Sequence, residues 1–440
     1  MTSDVAPLVD RLFREEAGRL TALLTRLLGV ERMELAEDVV QEAFIAALGH
    51  WPRGGVPAAP AAWLLQVAKR KAIDALRRDQ AFARRIPEIG AELDEAARAV
   101  LSGPTASDPT EADDPFADDR LRMILLCCHP AVSVDSRVAL TLKVVSGFGV
   151  GEIARAFLAD ERAVAQRLVR AKRALREADA SFEMPAGEAM RQRLDAVLDV
   201  LYLMFNEGHL AHAGDDLVRH ELSAEALRLA ERLTRHASTS SPATHALAAL
   251  FCFTAARFTA RTGRDGAPIR LAEQDRARWD ATLIARGFRH LAASAAGNEL
   301  TAYHVEAEIA SIHMLAPSWP ATDWARIVAA YDRLLQLTRS PVVALNRVVA
   351  LRELHGAAAA WATLESLERD GTFAAYHLLH AVRGSLLAEL GRREEATAAW
   401  ARARELTASS AMQRLVDQRL DELAETGGEG DVDSRVLRPS

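Results

Sequence analysis

Leu35, Val39, Val40, Ala43 and Ala47 return at the spacing of one helix face. The same spacing recurs in Leu64, Val67, Ala68, Ile73 and Leu76, and again in Val164, Leu168, Ala171 and Leu175. Side chains at that interval share one face of an α-helix but would scatter over both faces of a strand. A chain patterned in this way buries its apolar residues by packing helix on helix. Composition agrees. Half of the residues are hydrophobic and only 5% are aromatic, and the strong helix formers Ala, Leu, Arg and Glu dominate. The pattern predicts an all-α protein. Its 440 residues exceed what one core organises, so more than one domain is expected.

Breakers divide the chain. A first helix is expected from about Leu8 to Leu28, and a second over ERMELAEDVVQEAFIAALGHW. After PRGGVPAAP, a third reads AAWLLQVAKRKAIDALRR, with Lys69, Arg70, Lys71, Arg77 and Arg78 on its polar side. Residues 1–78 thus form one helical segment. Residues 79–118 change character. The run SGPTASDPTEADDPFADD cannot build a core, so the segment reads as an acidic, largely disordered linker. Helical patterning resumes over 119–183 and stops at MPAG. Residues 184–424 read as a long helical array, and 425–440 as a flexible tail. Within the array, HAVRGSLLAELGRREEATAAWARARELTASS places Gly384, Gly391, Ala396, Trp400 and Ala403 where a tetratricopeptide-like helix pair wants small or bulky residues. PVVALNRVVALRELHGAAAAWATLESL is a weaker copy, with Ala350 for Gly384 and Ala362 for Ala396.

The run GVGEIARAFLADERAVAQRLVRAKRALRE has the outline of a helix-turn-helix. A short helix from Val150 to Leu158 is followed by a turn at Ala159-Asp160, where Asp160 can cap a longer helix. That second helix has two faces. Val164, Leu168, Ala171 and Leu175 point inward. Arg162, Gln166, Arg170 and Arg173 lie opposite, flanked by Arg167, Lys172 and Arg176, and Val169 also points outward. Arg can fork onto guanine, Gln can pair with adenine, and flanking cations can hold phosphates.

Other chemistry has little support. There is no GxxxxGK, GxSxG or HExxH, so catalysis is not expected. Glu207, His209, His212, Asp215, Asp216, His220 and Glu221 crowd one stretch but lack a fixed ligand spacing. No metal or other cofactor is expected there. Cys127, Cys128 and Cys252 form no CxxC pair and read as buried small hydrophobes of a reducing compartment. Asp275, Arg276 and Trp279 follow a turn signal at Asp265-Gly266 and are expected to bracket that loop against the array. MTSDVAPLVD has no signal-peptide pattern, and no apolar run is long enough to span a bilayer. The expectation is a cytoplasmic protein without membrane contact.

AEDVVQEAFIAAL and AAWLLQVAKRKAIDALRR together resemble region 2 of sigma factors of the extracytoplasmic-function class. RVALTLKVVSGFGVGEIARAFLADERAVAQRLVRAKRALRE resembles their region 4. YLMFNEGH, LAEQDRARWD, TDWARIVAAYDRL and SPVVALNRVVAL resemble the tetratricopeptide-like extension of one subgroup of that class. The resemblance implies partners: core RNA polymerase, through its β′ clamp helices and β subunit, and double-stranded promoter DNA with a melted −10 strand. It implies that Asp38, Gln41 and Glu42 dock on the clamp helices. Lys69, Arg70, Arg77 and Arg78 would contact the −10 region, after a loop whose ring-bearing groups are His50 and Trp51; Trp63 reads as core. Arg162, Gln166, Arg167, Arg170, Lys172 and Arg173 would serve the −35 element. The linker carboxylates Asp113, Asp114, Asp118 and Asp119 would mimic nucleic acid, and the extension would regulate initiation in cis by docking within the molecule. The alternative is a helix-turn-helix regulator with a repeat-type sensor domain and no sigma activity.

Overall fold

The computed structural model describes residues 5–77, 85–102, 117–157, 159–210, 217–261, 263, 269–369, 376–407 and 410–428. The described residues contain helices and no strand. They fall into two compact units, Met1–Gly208 and His209–Ser440.

The first unit begins with α1 (Val5–Leu28), α2 (Met33–Gly54), α3 (Pro60–Leu76) and α4 (Ile86–Ser102). Gly29, at φ +94°, turns the chain between α1 and the short 3-10 turn Val30–Arg32. One core joins the four helices. It contains Leu20, Leu24 and Leu28 of α1, Val40, Phe44 and Trp51 of α2, Leu64, Leu65 and Leu76 of α3, and Ile89, Leu93 and Ala97 of α4.

Two sequence expectations are corrected here. The segment read as linker contains α4, whose Ile89, Leu93, Ala96 and Ala97 form an apolar stripe buried against the preceding helices. The Pro- and Asp-rich second half dominated the composition and hid the amphipathic first half. Asp113 and Asp114 lie outside the described residues, as does the side chain of Asp118. Asp119 is no linker carboxylate. It is buried in α5 and accepts from Arg26 Nε at 3.1 Å and Arg122 Nη1 at 3.4 Å. The second correction concerns α2, which continues through His50, Trp51 and Pro52 and stops at Gly55, where φ is +80°. Trp51 is therefore core rather than loop.

The unit continues with α5 (Ala117–Cys127), α6 (Val134–Val144), α7 (Val150–Ala156), α8 (Glu161–Glu177) and α9 (Gly187–Leu210). The unit extends past the sequence boundary at 184, and Arg193 of α9 donates to the Leu125 carbonyl of α5 at 3.1 Å. Cys127 and Cys128 are free and buried, and burial pushes both thiols up, that of Cys128 to about 12.

The second unit contains α10 (Leu217–Arg235), α11 (Pro242–Ala255), α12 (Ala281–Ser294), α13 (Ala302–Leu315), α14 (Trp324–Thr338), α15 (Pro341–His355), α16 (Ala357–Glu368), α17 (His377–Glu389), α18 (Arg393–Leu406) and α19 (Ser410–Gly428). From α13 onward each helix packs on the next, as in a helical-hairpin stack. Gly356 and Gly391, at φ +83° and +75°, turn two successive hairpins. Gly384 lets α17 approach α18 so closely that an added Cβ would sit 2.7 Å from the Trp400 ring. The repeat register shifts in its second helix, because Ala362 is exposed and Ala360 takes the buried position.

Candidate nucleic-acid and polymerase interface

Two side chains set the helix-turn-helix. Glu152 accepts from the Gly149 amide at 2.6 Å and so closes the start of α7. Asp160 accepts from the amides of Arg162 at 2.9 Å and Ala163 at 3.2 Å, which satisfies two otherwise unpaired donors at the start of α8. Leu158, expected at the end of the first helix, lies outside the described residues.

The faces of α8 divide cleanly. Val164, Leu168, Ala171 and Leu175 are buried, while Arg162, Gln166, Arg170 and Arg173 are exposed. Val169 is 58% exposed, which is unusual for a large aliphatic side chain in the middle of a helix. Arg170 Nε reaches back to the Gln166 carbonyl at 3.3 Å, and Arg173 pairs with Glu177 at 2.6 Å on the surface. Arg167 is half-buried. With Arg170 it lines a concavity of about 410 Å³ beside Ser133, Asp135 and Ser136 at the start of α6. Guanidinium groups beside the positive end of a helix suit a phosphate.

Lys172 behaves differently from its neighbours. Its ammonium lies 2.6 Å from Glu37 Oε1 of α2, and both side chains are largely buried. The contact is a close ion pair. Burial raises the Glu37 carboxyl above its ordinary value, against the lowering influence of Lys172 and Lys143. One turn further along α8, Arg176 lies 3.5 Å from Glu34. The structure thus places Lys172, expected to serve the −35 element, against a carboxylate of α2. The segment holding α5–α8 packs on α1 and α2, and these ions are consumed at that contact. The fit is tight elsewhere too, since a Cβ added at Gly18 of α1 would overlap the Val145 carbonyl at the end of α6.

Asp38, Gln41 and Glu42 share one exposed face of α2. The same face carries Ile45, 66% exposed, and Leu48, 46% exposed. Sequence reasoning missed these two. Their signal was an apolar residue one turn beyond the carboxylates and off the buried stripe. Glu42 also pairs with Lys71 of α3 at 2.5 Å.

The basic side of α3 is less open than its sequence suggests. Lys69 is mostly covered and pairs with Asp94 of α4 at 2.5 Å. Arg70 is exposed, and Arg77 is exposed and pairs with Asp74 at 3.0 Å. Arg78 lies outside the described residues. Trp63 packs against the core, edge-on to Trp51 at 5.4 Å, with the exposed His50 ring 6.3 Å away.

His212, Asp215 and Asp216 lie outside the described residues, as do the side chains of His209 and His220 and the pair Asp265-Gly266. Among the described residues, no three His, Cys, Asp or Glu side chains gather as a metal site. No described helix is long and apolar enough to cross a membrane.

Comparison with known families gives this geometry its context. Residues 12–82 match the model of sigma-70 region 2, and residues 122–175 match that of sigma-70 region 4. The chain belongs to the sigma-70 family. It has the architecture of an extracytoplasmic-function-like sigma factor with a C-terminal helical extension, of which residues 193–295 match a family of unknown function (DUF6596). An uncharacterized protein of Rhizobium meliloti (strain 1021) is 36% identical over 393 residues, covering 89% of this chain and 90% of the relative. No solved structure matches the chain. Regions 2 and 4 together imply RNA polymerase sigma function, with binding of core RNA polymerase and promoter DNA and no enzymatic activity. A regulator that never joins polymerase has no use for region 2, and that alternative falls away.

Proposed function

We propose that this sigma factor reads the −35 element with Arg162, Gln166 and Arg170 of α8, while Arg167, Lys172 and Arg173 hold flanking phosphates. The observation that carries this reading is the opposition of faces on α8: the four apolar residues are buried and the polar residues across from them are exposed. In region 2, Asp38, Gln41 and Glu42 dock on the basic β′ clamp helices, with Ile45 and Leu48 supplying apolar contact. Arg70 and Arg77, with Lys69 and Arg78, serve the −10 region. Region 4 contacts the β subunit, and the factor acts in the cytoplasm. The extension regulates these steps in cis.

The contact between regions 2 and 4 supports a closed resting form. Promoter elements about 25 base pairs apart are separated by ~85 Å along B-DNA, at roughly 3.4 Å per base pair. Two regions joined through Lys172 and Glu37 do not reach both. Binding to polymerase therefore parts them and frees Lys172 and Arg176 for DNA.

Transcription in vitro with core polymerase tests the reading. Gln166→Ala or Arg170→Ala is expected to cut promoter-specific transcripts by about tenfold and leave polymerase binding intact; full activity from both would overturn the assignment of α8. A truncation after Gly208, which keeps α9 with its unit, tests the extension. Activity equal to that of the full chain would remove the cis role.

A further inference from the structure

The second unit holds a pocket that the sigma function does not use. It has a volume of about 420 Å³, within the ~300–1,000 Å³ typical of small-molecule sites. Its walls come from α13, α14, α15 and the short turn at Leu271–Glu273. Three rings form one corner. Trp319 and Trp324 meet edge to face at 4.5 Å, and His313 stacks on Trp319 at 5.9 Å with the planes 8° apart. Tyr331 and Ile327 continue the apolar wall, and the exposed Asn346 stands at the rim.

The charges around the pocket are unequal. Its two lining guanidiniums are answered, Arg270 by Glu273 and Arg352 by Glu353 and Glu389, and Glu353 is the one carboxylate in the lining. Oε2 accepts from Trp319 Nε1 at 2.9 Å, and Oε1 lies 2.8 Å from the Arg352 guanidinium. Oε1 makes no hydrogen bond, but its charge is already met by that guanidinium, which leaves little to hold a cation. Behind the aromatic wall the balance is positive. Arg276 donates to the His313 carbonyl at 2.6 Å and the Ala316 carbonyl at 2.9 Å, yet its buried Nη2 has no hydrogen-bond partner. The buried Nε of Arg257 also lacks one. Among the described residues no carboxylate pairs with either guanidinium. His313 adds no charge of its own. Burial, with Arg257 and Arg276 nearby, lowers its pKa to about 4, so its ring is neutral near pH 7.

We propose that this pocket binds a small organic anion built on an aromatic ring, the ring lying against Trp319 and Trp324 and the negative charge drawn by Arg257 and Arg276 behind the wall. Aromatic side chains supply stacking surface, and an uncompensated positive field in a part-buried site favours an anion over its neutral or cationic analogue. The site lies within the second unit and does not depend on the promoter reading.

Ligand-observed NMR on the full chain tests it with three matched sets: benzoate, 1-naphthoate and indole-3-acetate, their primary amides, and the corresponding amines benzylamine, 1-naphthylmethylamine and tryptamine. At least one carboxylate is expected to bind about fivefold or more tighter than its amide, a difference of about 1 kcal/mol, and tighter still than its amine. Asn346→Trp, which plugs the exposed rim without touching the core, is expected to abolish binding while thermal unfolding by circular dichroism stays unchanged. Trp324→Leu provides a second block if the first alters folding. Arg276→Gln is expected to weaken the carboxylates and spare the amides. No binding by any member, amines binding as tightly as acids, or binding that survives both blocks would each overturn the proposal.

Discussion

The helices α3 and α8 look alike as sequence, since both are amphipathic and basic, and the structure treats them differently. The outer face of α8 presents Arg162, Gln166 and Arg170 to solvent. The basic side of α3 is answered by carboxylates: Asp94 holds Lys69, Glu42 holds Lys71 and Asp74 holds Arg77. The availability of a cation is set by what another element places across from it, which its own helix does not reveal. Lys172 shows both situations within one helix, sitting three residues from Leu175 and two from Arg170 yet closed off by Glu37. Exposed pairs of the α3 kind contribute little, about 0–1 kcal/mol, so those cations are released cheaply when DNA arrives. The buried pair on α8 is a different object.

That contrast can be broken experimentally. Lys172→Ala leaves Glu37 buried without its ammonium, and such losses cost about 3 kcal/mol; urea unfolding should show it, and a change below about 1 kcal/mol would put Lys172 in the same class as the α3 cations. Gly18→Ala drives a Cβ into the Val145 carbonyl and should destabilise the contact between regions 2 and 4 by about 2 kcal/mol. The same variant should raise DNA binding by the free factor, because it releases α8; unchanged stability would deny the tight fit. Gln166→Ala or Arg170→Ala should reduce discrimination among −35 sequences by about tenfold, close to 1.4 kcal/mol, with no loss of folding. Asp94→Asn should change stability by less than about 1 kcal/mol, because the Asp94 carboxylate is half exposed to water. Glu37 should also make stability depend on pH. The Glu37 carboxyl is raised by burial, so its contribution to stability is present below its unfolded value near 4.5 and is lost as pH rises through the raised value. Glu37→Gln should remove that dependence, as pH-dependent unfolding of the variant would show.

Much of the interface was legible in the chain because helical periodicity marks the buried face. Val164, Leu168, Ala171 and Leu175 are all buried as their interval requires, and Asp160 caps the helix that follows it. Two kinds of feature were not legible. One was helix hidden by composition: the stripe of Ile89, Leu93 and Ala97 was masked by the acidic run after it. The other was pairing across long separations. Nothing near Lys172 in sequence points to Glu37, and nothing near Lys69 points to Asp94. Trp51 is a separate case: the resemblance put it in a loop, whereas α2 runs past it to Gly54 and buries its ring.

The sequence by itself determined the all-α architecture, the helix-turn-helix and the side of α8 that faces outward, because each depends on residues within a turn or two of one another. Tertiary structure alone decided which cations are paired, how regions 2 and 4 lock at Gly18 and Val145, and that Trp319 and Trp324 meet edge to face at the wall of a pocket. Those outcomes are set by distances between elements far apart in the chain. Local periodicity fixes which face a helix buries, but carries no information about which charge it will meet there.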